Sequence, residues 1–311
     1  MRVVLGVPER AAHSTVLTIG NFDGLHLGHR KMIDRLHECA GQLGHRTAVL
    51  TFEPHPREVF APEQAPPRLT SLREKLALLE SCTVDTVHLC RFNSRFAAIE
   101  PDRFIQDVLV RGIGVRHLIV GDDFCFGKGR SGNIAMLREQ GPRQGFGVET
   151  LPTVALDGLR VSSSAVRDAL AAGNLDQAAR LLGRPYAISG RVVHGDKIGR
   201  TLGFPTANVQ LKRKRLPLTG VYAVTVSGLD KRHLPGAASI GVRPTIAAGL
   251  KPVLEVHLLD FDREIYGSHV TVHFLHKLRE EARYETLEAL TAQIALDVEQ
   301  TRQFFSIPAH G

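Results

Sequence analysis

His26 and His29 stand three residues apart at the end of a glycine-rich run, Gly20-Asn-Phe-Asp-Gly-Leu-His-Leu-Gly-His29, which leads from an apolar strand into an amphipathic helix. Side chains with this spacing share one side of a helical turn. Gly20, Gly24 and Gly28 let the backbone approach a ligand closely, and the unpaired N–H groups of a first helical turn attract anions. The chemistry this suits is phosphate handling, with the imidazoles as donors. A metal site is the competing reading, but no Glu follows His26 as in His-Glu-x-x-His and no third ligand is evident; two packing histidines are the plain alternative. A second anion-friendly element is Val161-Ser-Ser-Ser-Ala-Val-Arg167. Ser162 or Ser163 suits a helix N-cap, and Arg167 follows within about a turn.

In the carboxyl half, Glu255 sits in Val253-Leu-Glu-Val-His-Leu258, an alternating strand that turns it away from Leu254 and Val256. On pattern alone such a glutamate faces solvent. Upstream, Gly195-Asp-Lys-Ile-Gly-Arg-Thr-Leu-Gly203 combines three glycines with Lys197 and Arg200, then runs into Phe204-Pro-Thr-Ala-Asn208. No Walker Gly-x-x-x-x-Gly-Lys-Ser/Thr motif occurs in the chain. The Thr206 hydroxyl and Asn208 amide are hard oxygen donors of the kind that suits Mg²⁺.

The elements that must hold these residues divide the chain in two. From residue 14 to about 183, β-branched runs alternate with helix-period segments, the pattern of a parallel sheet covered by helices. Strands are expected at 15–19, 46–52, 85–89, 116–120 and 148–151, and helices at 29–43, 71–81 and 101–111. Ser71 and Glu74 form a capping box for the second helix. Ligands of such sheets bind beyond the carboxyl ends of the strands, so the turn at 20–29, Phe52-Glu-Pro-His-Pro56 and Gly121-Asp-Asp-Phe-Cys-Phe-Gly127 should line one cleft. Beyond Gly183-Arg-Pro185, short strands near 187–193, 221–226, 236–240, 253–259 and 269–275 predict an antiparallel barrel. A closing helix from about Thr286 to Phe304 should bury Leu287, Leu290, Ile294 and Val298.

Composition bounds the partners. The 311 residues carry 39 Lys and Arg against 32 Asp and Glu, a net charge of +7 that suits anionic ligands without selecting among them. Cys39, Cys82, Cys90 and Cys125 form no Cys-x-x-Cys pair, which predicts reduced thiols rather than disulfides or a zinc site. No signal peptide and no apolar run of membrane-spanning length is present, so a cytoplasmic protein is expected.

These motifs, taken in order, resemble the bacterial bifunctional riboflavin kinase and FMN adenylyltransferase (FAD synthetase) family over essentially the whole chain. Gly190-Arg-Val-Val-His-Gly195, Gly220-Val-Tyr222, Gly241-Val-Arg-Pro-Thr245 and Leu254-Glu-Val-His-Leu-Leu-Asp-Phe261 add to those already quoted. The resemblance implies an α/β Rossmann-like nucleotidyltransferase domain at 1–183, then an antiparallel β-barrel riboflavin kinase domain with a C-terminal helix at 184–311. It implies ATP as co-substrate, Mg²⁺ as cofactor, and riboflavin, FMN and FAD as substrates and products.

The same resemblance assigns roles. His26, His29 and Arg167 serve adenylyl transfer, with Gly20, Asn21, Phe22, Asp23, Gly28, Asp123, Ser162, Ser163 and Ser164 around ATP, Ser164 replacing the usual Thr. Phe52, Pro54, His55, Pro56 and Phe60 offer a flat wall for a flavin. In the kinase half, Glu255 is the catalytic carboxylate, Gly195, Lys197, Gly199 and Arg200 contact ATP, and Thr206 and Asn208 hold the metal. Arg279, which opens Arg-Glu-Glu-Ala-Arg-Tyr284, touches flavin, although Arg283 and Tyr284 replace the usual Lys and Phe. Ser239 stands where Asn is common and is left outside the site.

Three other accounts compete. Lys212-Arg-Lys-Arg215 can touch nucleic acid, but no stacking or reading element accompanies it, and a solvated hairpin loop is expected instead. Aminoacyl-tRNA synthetases share the His-x-Gly-His signature, yet no Lys-Met-Ser-Lys-Ser loop occurs. A non-catalytic flavin or nucleotide sensor conflicts with intact residues at both centres. The expected partners are therefore small molecules, with no nucleic acid and no membrane; the sequence leaves a homo-oligomer open.

Overall fold

The computed structural model describes residues 1–195, 198–245 and 249–306. They divide into two compact units. The first comprises Met1–Pro66 and Lys75–Ser162, and the second Pro67–Glu74 and Ser163–Gly311, the latter as far as it is described.

The first unit is built on six parallel strands: β1 (Arg2–Leu5), β2 (Thr15–Ile19), β3 (Arg46–Glu53), β4 (Thr86–Arg91), β5 (Val115–Gly121) and β6 (Gly147–Leu151). Their order is β1-β4-β3-β2-β5-β6, with every pairing parallel. Chain order reverses between β2 and β5, and the carboxyl ends of those two strands flank the crevice where doubly wound sheets take their ligands. Fully buried Val16, Leu17, Ala48, Val49, Leu50, Val87, Leu118 and Ile119 explain the near-continuous apolar runs of these strands.

Helix α1 (Leu27–Leu43) buries Ile33, Leu36, Cys39 and Ala40 and stops at Gly44, whose φ of 67° is the left-handed C-terminal conformation. Between β3 and β4 come α2 (Pro56–Phe60) and α3 (Leu72–Ser81). The Ser71 capping box is present, the Ser71 amide donating to Glu74 Oε2 at 2.6 Å and the Glu74 amide to Ser71 Oγ at 3.4 Å. After α4 (Ser94–Ala97), the helix expected at 101–111 divides into α5 (Pro101–Arg103) and a π-helical stretch, Phe104–Ile113. Two elements had no readable signal. β1 is a mostly exposed edge strand, and α6 (Ile134–Arg143) carries the helix breakers Gly141 and Pro142, with Asn133 as N-cap. A small hairpin, β7 (Ala155–Leu156) and β8 (Leu159–Arg160), completes this unit.

The second unit is a closed barrel of β9 (Tyr186–Val193), β10 (Ala207–Val209), β11 (Gly220–Ser227), β12 (Leu234–Thr245), β13 (Gly249–Leu258) and β14 (His269–Arg279), in the order β10-β13-β12-β11-β14-β9 and antiparallel throughout. Tyr222, Val224, Leu254, Val256, Val272 and Phe274 fill it. Its helices are α7 (Ser163–Ala171), α8 (Leu175–Leu182), α9 (Ile198–Thr201) and α10 (Leu287–Phe304).

The second compact unit takes in Ser163 onward, because α8 packs on β9 and β14 and buries Leu175, Ala178, Leu181 and Leu182. Pro67–Glu74 joins this unit through hydrogen bonds. Tyr186 Oη donates to the Leu69 carbonyl at 3.0 Å, the Ser189 amide donates to Glu74 Oε1 at 2.6 Å, and Arg213 pairs with Glu74.

Two expectations need correction here. The run Lys212–Arg215 is not uniformly solvated: Arg213 is buried, donating to Glu74 and, at 2.9 Å, to Tyr186 Oη, because a buried carboxylate requires a paired cation. Along α10, Leu290, Ile294 and Val298 face a cavity as their spacing requires, but Leu287 in the first turn is 60% exposed.

Candidate active sites

In the first unit, β2 ends at Ile19 and the chain turns through Gly20–Asp23 before α1. Phe22 and Leu25 adopt φ of 49° and 42°, uncommon for non-glycine residues, and both side chains are fully buried, which holds the turn in shape. A Cβ on Gly28 would lie 3.2 Å from the His26 ring, so the close approach excludes a larger residue there.

His26 is the N-cap of α1, its Nδ1 accepting from the His29 amide at 3.3 Å. That acceptor role leaves the proton of a neutral His26 on Nε2. The His26 and His29 rings stack with centroids 3.7 Å apart at 17°, and Phe22 lies 5.0 Å from His29. Burial first, then the charges of His26 and Lys75, hold the His29 imidazole well below its ordinary value of 6.5. His29 Nδ1, Asn21 Oδ1 and Arg30 Nε are buried polar atoms with no hydrogen-bond partner among the described residues. Buried polar groups are otherwise almost always satisfied, so three in one turn mark a place shaped for a polar ligand.

Val161 O lies 3.8 Å from a Cβ built on Gly28, which sets the residue preceding Ser162 beside the start of α1. Ser163, Ser164 and Arg167 lie on α7, in the second unit, where Arg167 Nε donates to the Pro67 carbonyl at 2.7 Å. Asp123 follows the end of β5 and pairs with Arg160 at 3.0 Å, both exposed.

Pro56 opens α2, and His55 caps it, Nδ1 accepting from the Arg57 amide at 3.2 Å. Phe52 and the 66% exposed Phe60 both meet Phe92 edge-on, at 5.7 and 5.6 Å, and Phe52 also lies 5.7 Å from Phe96. Phe92 and Phe96 were missed by sequence reasoning. The available signal was positional, since Phe92 follows β4 as Pro54 follows β3, and these strands are neighbours.

In the second unit, Glu255 lies on the face of β13 opposite buried Leu254 and Val256, its side chain 20% exposed. Register sets Asn208 of β10 and Ser239 of β12 directly across from it, one on each side. Cross-strand partners share a face with Cβ atoms about 5 Å apart. Arg243 donates to Glu255 Oε2 at 2.6 Å. A Cβ on Gly195 would fall 2.3 Å from Asn208 Nδ2, so this glycine makes room for the Asn208 amide; one on Gly199 would fall 2.4 Å from the Phe204 carbonyl and 3.3 Å from Thr206 Oγ1, so a side chain there would clash with the backbone first. His257 Nδ1–H donates to the Pro205 carbonyl at 2.9 Å, and the ring meets Phe204 edge-on at 5.7 Å.

Gly199, Phe204, Thr206, Ser239, Arg243, Glu255 and His257 line a cavity of about 610 Å³ that also takes in Arg279, Glu281, Tyr284 and Asp297. Arg279 is held by Asp297 through Nε–Oδ1 at 2.7 Å and Nη2–Oδ2 at 2.6 Å. Burial pushes the Glu281 carboxyl above its ordinary value, against Ser239, Arg243 and Arg279 and together with Glu255. Ser239, Arg243, Glu281 and Asp297 therefore join the expected Glu255, Thr206, Gly199 and Arg279 on its wall, while Asn208 is placed only as the cross-strand partner of Glu255. Lys197 and the side chain of Arg200 lie outside the described residues.

A switch-point crevice fitted for phosphate, together with a barrel cavity holding a carboxylate beside hard oxygen donors, defines a nucleotide-using transferase with two centres. Residues 9–165 match the model of the FAD synthetase family, and residues 182–305 that of riboflavin kinase. The chain is 49% identical over 310 residues to the bifunctional riboflavin kinase/FMN adenylyltransferase of Escherichia coli K12, covering 99% of each. It is 52% identical over 312 residues to the protein of that name from Pseudomonas fluorescens, covering 100% of each. A solved structure described as a macrolide-efflux protein from Streptococcus pneumoniae shares the fold at a TM-score of 0.82 and 27% identity, over 97% of this chain and 99% of that one. Among the described residues no helix is long and apolar enough to cross a membrane.

The chain belongs to the bifunctional riboflavin kinase/FMN adenylyltransferase family. It is an enzyme of flavin cofactor biosynthesis that phosphorylates riboflavin to FMN with ATP and adenylylates FMN to FAD with release of pyrophosphate.

Proposed function

We propose that the two reactions divide along the chain as 1–183 for adenylyl transfer and 184–311 for riboflavin phosphorylation, in the cytoplasm, with the residue roles that follow. The observation that carries this reading is the setting of Glu255: across from Asn208 and Ser239, ion-paired with Arg243, on the wall of a cavity large enough for a flavin.

Riboflavin's ribityl hydroxyl is a neutral, weak nucleophile, and a positioned carboxylate takes its proton as the new P–O bond forms. Arg243 engages Oε2, which makes Oε1 the atom for the hydroxyl. Arg279, fixed by Asp297, presents a planar cation to the flavin's polar edge. Gly195, Gly199, Lys197 and Arg200 serve the ATP phosphates. The oxygen donors of Thr206 and Asn208, the latter given room by Gly195, fit Mg²⁺, which when bound offsets negative charge on ATP.

Adenylyl transfer makes different demands. The FMN phosphate is already ionised, so no base is needed. The protein brings two anions together and stabilises the charge that collects on departing pyrophosphate. His26 Nε2–H, a His29 ring with its Nδ1 unpaired, and the α1 N-terminus supply donors for this purpose. Gly20, Asn21, Phe22, Asp23 and Gly28 shape the turn. Ser162, Ser163, Ser164 and Arg167 act on the nucleotide, as does Asp123, and Phe52, Pro54, His55, Pro56 and Phe60 pack the flavin.

The test is chromatography of flavin products, started separately from riboflavin and from FMN, with Glu255→Ala and His29→Ala. Each variant is expected to lose one reaction and keep the other. Loss of both reactions in a folded single variant would overturn the division.

A further inference from the structure

Outside both proposed centres, Cys39 of α1, His117 of β5 and Glu149 of β6 converge in the first unit, with one ligand atom from each lying within 4.8 Å of the others. His117 Nε2 is 3.3 Å from Glu149 Oε2, and Cys39 Sγ is 3.8 Å from the same oxygen. Zinc bonds of about 2.3 Å to sulfur and about 2.0 Å to nitrogen and oxygen imply tetrahedral edges of roughly 3.3 Å for N–O and roughly 3.5 Å for S–O. The His117–Glu149 and Cys39–Glu149 edges thus already lie near the spacing that one such ion requires, and the third pair lies within 4.8 Å.

We propose that Cys39, His117 and Glu149 form a binding site for a single Zn²⁺-class ion, with water as fourth ligand, that fastens α1 to β5 and β6. Cys39 is 3% exposed, while the His117 and Glu149 side chains are 22% and 26% exposed, so one side of the cluster is open to the ion and its water. Gly147 makes the ring placement feasible, since a Cβ there would sit 2.7 Å from His117 Nδ1.

Charge also favours a divalent ion. Arg35 pairs with Glu149 at 2.8 Å and with Glu38 at 2.9 Å. One guanidinium thus faces two carboxylates, a surplus of one negative charge beside the cluster. A bound metal ion takes the place of the thiol proton on Cys39 Sγ, and the proton leaves to solvent. Arg35 remains held by Glu38 when Glu149 turns to the ion. None of these residues has a role in either proposed reaction, but the helix they would clamp begins at His26 and His29.

The test uses the full-length protein stripped with a chelator and titrated with Co²⁺ as a spectroscopic stand-in. One equivalent is expected to produce a thiolate-to-cobalt charge-transfer band and strong visible bands of a four-coordinate ion. Cys39→Ser and His117→Ala should abolish them, while Cys90→Ser should keep them. Zn²⁺ at a hundredfold excess over Kd should raise the first thermal midpoint by about 5 °C in the parent and not in Cys39→Ser. Absence of the charge-transfer band in the parent, its survival in Cys39→Ser, or an equal thermal shift in that variant would overturn the proposal and leave the cluster an ion-pair network alone.

Discussion

The two units assemble their centres by opposite routes. In the parallel sheet, the glycine turn and its two histidines lie within a stretch of ten, Gly20 to His29, because one strand end and one helix start place them together. In the barrel, the neighbours of Glu255 arrive from residues 208, 239, 243 and 281 through strand register and a returning segment. A loop at a strand's carboxyl end brings backbone N–H groups and short-range histidines, which suits attraction of anions. A barrel face brings side chains of opposite charge into one cavity, which suits positioning a base against a neutral hydroxyl. The difference in scaffold thus parallels the difference in chemistry.

Removal of the base is the strongest way to separate the two. Glu255→Ala should lower riboflavin phosphorylation by on the order of 10³-fold, the range typical of a lost general base, while the rate of FAD formation from supplied FMN stays within twofold. Flavin chromatography from the two starting substrates measures both. The converse change, His29→Ala, should lower FMN adenylylation by on the order of 10²-fold, as loss of a preorganised donor does, and spare the kinase. Equal losses in both reactions for either variant would mean that the centres are not independent.

A subtler change sharpens the barrel side alone. Asp297 is 4% exposed and holds both donors of Arg279, with Gln293 Nε2 also donating to it at 3.0 Å. Asp297→Asn should raise the KM for riboflavin about tenfold with little change in kcat, because the guanidinium stays in the cavity but loses its fixed direction. Steady-state kinetics at saturating ATP decides this. A fall in kcat at unchanged KM would place Arg279 in the chemical step instead of substrate binding.

The same contrast governs how much the sequence could reveal. The strand spans of the sheet, the Ser71–Glu74 cap and the glycine turn are local, written in propensity and spacing, and they are legible. Glu255 is not, since an alternating strand reads it as solvent-facing and only the family resemblance singles it out. Ser239 and Arg243 become neighbours of Glu255 only once β12 is registered against β13, and Asp297 meets Arg279 only through the packing of α10. Their place in motifs marks Ser239 and Arg243, but not that they flank Glu255, and nothing in the sequence pairs Asp297 with Arg279. Arg213 misled for a related reason: within Lys212-Arg-Lys-Arg215 it reads as a solvated cation, and only the burial of Glu74 explains why one of the four turns inward. β1 and α6 were illegible because exposure and helix breakers erase periodicity.

The smallest effect tests the electrostatic account of the sheet's centre. His29 is held below 6.5 by burial and by the charges of His26 and Lys75, so the unfolded chain takes up this proton at a higher pH than the folded one. The native state is therefore favoured above pH 6.5, and this contribution is lost as pH falls from there through the depressed folded value, at up to about 1.4 kcal/mol per pH unit. His88, His269 and His273 are displaced in the same direction, so the parent slope alone does not isolate His29. The difference between the parent and His29→Gln does: denaturant melts between pH 5 and pH 8 should show a shallower acid-side decline in the variant. ATP should also bind the parent with net proton uptake, since triphosphate charge favours the imidazolium that burial opposes, and calorimetry in buffers of different ionisation enthalpy reads that proton directly. Identical slopes and identical proton uptake in parent and variant would mean that His29 ionises freely in the folded protein, and a neutral imidazole waiting for the nucleotide's charge would have to be abandoned.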